Sequence, residues 1–141
     1  MTELTGKSSI AGLNRAELGR MGERLAAQFL MRRGLRIAAY NVRLPIGRTH
    51  TGRRIYGEID MVAFDGPTLV FIEVKARTSA SVATPESAVT AFKRYRLRRA
   101  AQRYRRLIGP ADAPYRFDVV AILWDAPATT PTITLFKGFF S

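Results

Sequence analysis

Apolar positions along the chain switch between a helical and a strand-like period, and the switches mark the elements. Leu18, Met21, Leu25 and Phe29 recur at helical spacing. Asn14 with Glu17 three positions on has the spacing of a capping box, and Arg33-Gly34 supplies a stop, so a first helix is predicted from Asn14. Gly19 and Gly22 each weaken a helix by about 1 kcal/mol relative to alanine, which predicts another backbone packed close to that turn. Residues 35–42 read as a short first strand, and residues 45–54, PIGRTHTGRR, as a mobile polar loop. Residues 61–64 and 68–72 are near-continuous apolar runs on either side of Asp65-Gly66-Pro67, the pattern of a β-hairpin. Beyond a small-residue linker over 78–83, Thr84-Pro85-Glu86 reads as an N-cap, a first-turn proline and a first-turn acid. The helix they open runs to about Ile108, before Gly109-Pro110. Residues 116–123 form a strand pattern, and residues 132–136 with Phe139-Phe140 a final strand or packing segment. The order α, β, β, β, α, β, β places a long helix between the third and fourth strands. That permits a parallel crossover, so an α/β fold with a mixed sheet and helices on its faces is expected.

Acidic residues interrupt this pattern where a buried strand should be apolar. The hairpin register sets Asp60 opposite Ile72 or Glu73, bringing the two carboxylates within reach of each other. Alternation puts Glu73 and Lys75 on one face and pairs Glu58 with Asp60. The flanking runs MVAF and LVFI imply a central hairpin, where unpaired charge is expensive. A solvated strand end with a cross-strand ion pair is the plainer alternative.

Charge changes the picture next. The 141 residues suit one domain, expected over 14–141 behind a frayed tail over 1–13. Lys and Arg total 23 against 11 acids, a formal net charge of +12, which favours a polyanionic partner. No apolar run reaches the roughly 18 residues that span a bilayer, and the N-terminus lacks a signal-peptide apolar region. Nucleic acid is therefore favoured over membrane. The absence of cysteine excludes disulfides and thiolate zinc sites and fits a cytoplasmic location. His50, the one histidine, sits in the polar loop without nearby partners for a metal.

The basic surplus concentrates on the second helix. Between Ala91 and Arg106 stand eight basic residues and no acid, so like charges repel unless an anion is the intended neighbour. Val89, Leu97, Ala100, Tyr104 and Leu107 fall on one side and Arg94, Arg98 and Arg105 roughly opposite. Lys93, Arg94, Arg98, Arg99 and Arg105 are candidate nucleic-acid contacts, together with Arg77 at the end of the third strand. Lys93 falls near the apolar face, where it either snorkels or reaches the carboxylate patch.

Carboxylates with a lysine two residues beyond suit Mg²⁺ or Mn²⁺, which prefer oxygen ligands and retain water. With a polyanionic substrate the matching reaction is phosphodiester hydrolysis, Lys75 orienting or deprotonating the nucleophile. Asp60, a twelve-residue gap and Glu73-Val74-Lys75, behind a helix bearing Glu23, resemble the PD-(D/E)xK pattern of restriction-endonuclease-like nucleases. With Gly22-Glu23, Gly57-Glu58-Ile59-Asp60, the run from Phe71 to Arg77 and the run from Arg116 to Val120, the chain resembles the YraN-like family of uncharacterised bacterial proteins, itself similar to archaeal Holliday-junction resolvases.

That resemblance implies a restriction-endonuclease-like αβββαβ core, metal-binding Asp60 and Glu73, a catalytic Lys75, and Glu23 completing the acidic cluster. Periodicity alone makes Glu23 a solvated helix carboxylate; the resemblance reverses this. It leaves Glu58 as a supporting or structural acid and makes a homodimer plausible. The proline that opens the superfamily motif is replaced by Ile59. The expected function is a metal-dependent, resolvase-like DNA nuclease. The alternatives are a nucleic-acid-binding module that keeps the fold without catalysis and, more distantly, a basic protein-interaction domain, which leaves the acids unexplained.

Overall fold

The computed structural model describes residues 12–78, 90–109, 112–125 and 130–141. Its elements are α1 (Arg15–Arg32), β1 (Arg36–Arg48), β2 (Arg54–Asp65), β3 (Thr68–Thr78), α2 (Ala91–Ile108), β4 (Tyr115–Trp124) and β5 (Thr132–Phe140). The five strands form one sheet in the order β1-β2-β3-β4-β5. All neighbours are antiparallel except β3 and β4, which run parallel across α2. The mixed α/β sheet expected from the element order is therefore present, in a form consistent with a restriction-endonuclease-like core. No described helix is long and apolar enough to cross a membrane.

Each helix covers one face. Buried Ala26, Ala27 and Leu30 of α1 pack with Met61, Ala63, Val70, Ile72, Val120 and Ile122, while Leu97, Ala100 and Ala101 of α2 pack with Ile59, Val62, Phe71 and Phe117. The capping box forms as predicted, Asn14 Oδ1 accepting from Glu17 N at 2.9 Å and Glu17 Oε1 accepting from Asn14 N at 3.0 Å. Gly57 lets α2 settle on β2, because a Cβ there would lie 3.0 Å from both Ala100 Cβ and Arg96 O.

Three boundaries depart from expectation. Half of the predicted loop over 45–54 is strand: Pro45 pairs with Tyr56 and Arg48 with Arg54, leaving a tight turn at residues 49–53. Polarity misled here, because β1 is an edge strand, where polar side chains and a proline at a register shift are tolerated. His50 lies exposed in that turn. The described start of α2 is Thr90, whose extended backbone and side-chain bond from Lys93 N make it the N-cap. Thr84, Pro85, Glu86 and Val89, like residues 1–11 of the predicted tail, lie outside the described residues. Leu107, expected in the core, is 68% exposed because α2 buries only its middle turns.

The two α1 glycines divide. A Cβ on Gly22 would meet Ala76 Cβ at 2.6 Å, so Gly22 lets α1 lie directly on β3, whereas Gly19 faces open space. Alanine at Gly22 would gain about 1 kcal/mol of helix propensity. Overpacking against β3 costs about 1–3 kcal/mol and prevails. Gly22→Ala is expected to lower the unfolding midpoint, and Gly22→Ala with Ala76→Gly to recover at least half the loss. A double variant no more stable than the single one in urea denaturation would contradict this packing.

Candidate active site

Close approach of α1 to β3 places Glu23, the residue after Gly22, beside the acids of the hairpin. A cleft of about 710 Å³ opens there, walled by the first turns of α1 and the second half of β3. Glu23, Asp60, Glu73, Lys75, Arg77 and Lys93 all line it. The remaining basic candidates, Arg94, Arg98, Arg99 and Arg105, stand along α2 outside this cleft.

Each side chain has a local cause. Met61↔Ile72 is the last β2–β3 ladder pair, and beyond it the Asp60 carboxylate takes over the pairing, Oδ2 accepting from Val74 N at 2.8 Å. Alternation along β3 turns Glu73 and Lys75 to the same side. Glu73 is only 8% exposed. Its Oε2 accepts from Lys93 Nζ at 2.9 Å and has Lys75 Nζ at 3.7 Å. Lys93 therefore reaches the carboxylate patch rather than snorkelling to solvent. Glu58 does not join the cluster: it is exposed and pairs with Arg43 at 3.8 Å. Its neighbour Asp60 turns inward because its carboxylate replaces a lost backbone partner.

Packed acids and lysines shift one another. Burial, then the charge of Glu73, pushes Asp60 up to about 7. Burial, with Glu73 adding, raises Glu23, against a hydrogen bond from the Asn41 side chain. Lys75 is lowered, first by burial and then by its hydrogen bond with Lys93 and the charge that residue carries. Burial also opposes charge on Lys93, but hydrogen bonds with Lys75 and Glu73 prevail and hold it above the ordinary lysine value. Two lysines in one cleft are thus driven apart, the pattern by which a site separates a base from a fixed charge.

The Asp60 shift has a stability consequence. A carboxyl that binds its proton more tightly when folded adds stability that is fully present near pH 4 and is lost as pH rises through 7. At 1.36 kcal/mol per pH unit, about three units amount to roughly 4 kcal/mol at most. In chelator, the unfolding free energy is expected to fall between pH 4 and pH 7, and Asp60→Asn to flatten that slope. Parallel pH profiles for the two proteins in urea denaturation would contradict it.

Asn41 escaped the sequence reading. It has φ 50°, the one positive φ outside glycine among the described residues, and from β1 its side chain holds Glu23. Asparagine is among the few residues that take this conformation readily, which is the one signal its type carries.

The donor set suits a hard divalent cation. Asp60 and Glu73 offer oxygen, and the upward shift of Asp60 comes first from burial and then from the charge of Glu73 beside it. Among the described residues no group of three Asp, Glu, His or Cys side chains gathers closely enough to hold a metal. Glu23 lines the cleft without forming a three-carboxylate set with the other two.

Residues 22–122, a span that holds Glu23, Asp60, Glu73 and Lys75, match the Uncharacterised protein family UPF0102. A UPF0102 protein of Renibacterium salmoninarum is 48% identical over 107 residues, covering 76% of this chain and 82% of the relative. One from Pelotomaculum thermopropionicum is 37% identical over 123 residues, 87% of this chain and 94% of the relative. One from Moorella thermoacetica is 39% identical over 128 residues, 91% and 98% of the two chains.

Proposed function

The chain belongs to the Uncharacterised protein family UPF0102, and from the cleft built within its matched span we propose a metal-dependent nuclease that hydrolyses phosphodiester bonds in DNA. In this reading it is a restriction-endonuclease-like enzyme of resolvase type, acting in the cytoplasm on branched DNA, with a homodimer as the form that would meet two strands. The observation that carries the reading is the convergence of Asp60, Glu73 and Lys75 in one cleft of a strongly basic protein.

Asp60 and Glu73 would hold Mg²⁺ or Mn²⁺, which neutralises phosphate charge and acidifies bound water. Two protein carboxylates would leave such an ion open to water and to a substrate phosphate oxygen, as Mg²⁺ prefers. Glu23, held by Asn41, lines the same cleft. Burial, then the neighbouring Lys93, lowers Lys75, whereas contacts with Lys75 and Glu73 hold Lys93 above the ordinary lysine value, so Lys75 is the better proton acceptor of the two. In this reading Lys75 takes the proton of the attacking water as the water oxygen bonds to phosphorus and the P–O3′ bond breaks, the departing O3′ taking a proton from solvent. Lys93 stays charged and offsets the negative charge of the phosphate. Arg77, on the same cleft wall, fits a flanking phosphate.

Two observations favour a second reading, a binding module without catalysis: Glu73 is already engaged by Lys93, and among the described residues no three-carboxylate set gathers. Purified protein with linear, flapped and four-way DNA in Mg²⁺ or Mn²⁺ separates the two. The nuclease reading expects cleavage that stops in chelator and is fastest on the branched substrates. Salt-sensitive binding with no cleavage in either metal would overturn it in favour of the module.

A further inference from the structure

Outside the cleft, the strongest unexplained feature is the surface of α2. Arg94, Arg98 and Arg105 were expected roughly opposite the core, yet Arg94 and Arg105, like Arg96 and Arg99, lie against aromatic rings. Arg96 sits over Phe92 at 5.6 Å, Arg99 over Tyr95 at 5.9 Å and Arg105 over Tyr115 at 3.8 Å. Arg94 reaches Phe139 and Phe140 at 5.7 and 5.5 Å. The core face of α2, centred on Leu97, Ala100 and Ala101, is narrow, so residues on its flanks fall over the aromatic half of the sheet.

The rings stay open to solvent: Phe92 is 67% exposed, Tyr95 50% and Tyr115 45%. Between α2 and β4, Tyr95 and Tyr115 border a groove of about 310 Å³ that Arg98, Arg99, Gln102 and Arg105 also line, with Phe117 as its floor. That volume lies within the range of small-ligand sites. No acidic side chain occurs on α2 or lines the groove.

A surface that reads only a duplex needs cations, because a duplex presents phosphates and hides its base faces. Exposed rings interleaved with arginines are what unpaired bases require, since every base has a face to stack and a phosphate to neutralise. We infer that the groove between α2 and β4 seats unpaired nucleotides of a DNA strand, Tyr95 and Tyr115 stacking bases while Arg98 and Arg99 neutralise the backbone. The helix that walls the groove also reaches the candidate cleft, because Lys93 at its start bonds Glu73. From Lys93 to Arg105 the helix rises about 18 Å. A strand tail or the open arm of a branch, rather than uninterrupted duplex, is thus the feature held beside the cleft. The inference rests on the nucleic-acid part of the function proposed above and is independent of cleavage.

Binding in chelator, where no metal-dependent reaction can run, tests it. Fluorescence anisotropy would compare a blunt duplex with the same duplex carrying a single-stranded 3′ or 5′ tail, at one fixed salt concentration. The wild-type protein is expected to bind a tailed duplex about tenfold more tightly. Tyr95→Leu with Tyr115→Leu is expected to lose that preference while keeping its blunt-duplex affinity, and Tyr115→Phe to retain it. Arg98→Gln should weaken both substrates and reduce the salt dependence by about one phosphate contact. If the double variant fails to fold, Tyr95→Leu alone should lose a measurable part of the preference, because Tyr95 lies on the outer surface of α2. Equal wild-type affinity for blunt and tailed DNA, or an equal loss on both in the tyrosine variants, would overturn the inference. Tail preference without cleavage in Mn²⁺ would support it while sinking the nuclease reading.

Discussion

Lys75→Met is expected to reduce DNA cleavage by about 10²–10⁴-fold while leaving affinity for DNA in chelator within about twofold. The expectation follows from where the amine sits. It is 3.7 Å from Glu73 Oε2, lines the cleft with Asp60, and has its charged form disfavoured by burial and by Lys93. Methionine keeps the length and apolar stem of the side chain but has no basic group, so packing survives and proton transfer does not. A second readout separates this chemistry from mere support. A base with a lowered pKa should leave a rising limb in the pH–rate profile of the wild type, below the ordinary lysine range, and the residual activity of Lys75→Met should lack it. Lys93→Met should behave differently. It removes the charge that lowers Lys75 and is expected to shift the same limb upward rather than abolish it. An unchanged rate in Lys75→Met would remove the lysine from the reaction.

Asp118→Ala carries the largest expected loss of stability, about 3–5 kcal/mol, or roughly 10 °C in the unfolding midpoint. Asp118 is fully buried, and its carboxylate accepts from Arg116 Nε at 3.1 Å and from Gly138 N at 2.8 Å. Arg116 in turn bonds Asp65, at the hairpin turn, at 2.9 Å. At this point the β4–β5 register jumps between Phe117↔Phe140 and Val119↔Phe136, and Gly138 turns with φ 61°. One carboxylate thus closes a bulge and ties β5, β4 and the hairpin together. Alanine would orphan the Gly138 amide and leave Arg116 with a single acid. Asp118→Asn, which can still accept from Gly138, should lose less than half as much. An alanine variant within 1 kcal/mol of wild type in urea denaturation would show that the clasp contributes little.

The pattern along the chain carried the element order, the hairpin and the mixed sheet, because these depend on period and turn chemistry that short windows contain. Asp60, Glu73 and Lys75 were legible for the same reason: acids inside apolar strands stand out against their neighbours. Glu23 was not legible from periodicity, since what brings it to the cleft is Gly22 on Ala76, a contact between distant elements. Asn41 contributes through a backbone conformation no local pattern announces. The run from Arg116 to Val120 helped mark the family resemblance, yet its acid serves the sheet rather than the cleft. The arginines of α2 were correctly found as a single-sign face, but helical angles could not foresee that Arg94 and Arg105 would lie over rings of β4 and β5. The edge strand was misread because residues 45–54 have loop composition, and pairing with β2 outweighs composition when a ladder partner is available.

The central claim is that Asp60 and Glu73 form the catalytic half of a metal-dependent nuclease. Its most direct test is the rate of Mn²⁺-dependent cleavage of a four-way DNA substrate by the wild-type protein and by an Asp60→Ala, Glu73→Ala double variant prepared in parallel. Cleavage by the wild type is expected and none above background by the double variant, with both still bound to the DNA in chelator. Equal cleavage by the two proteins would contradict it.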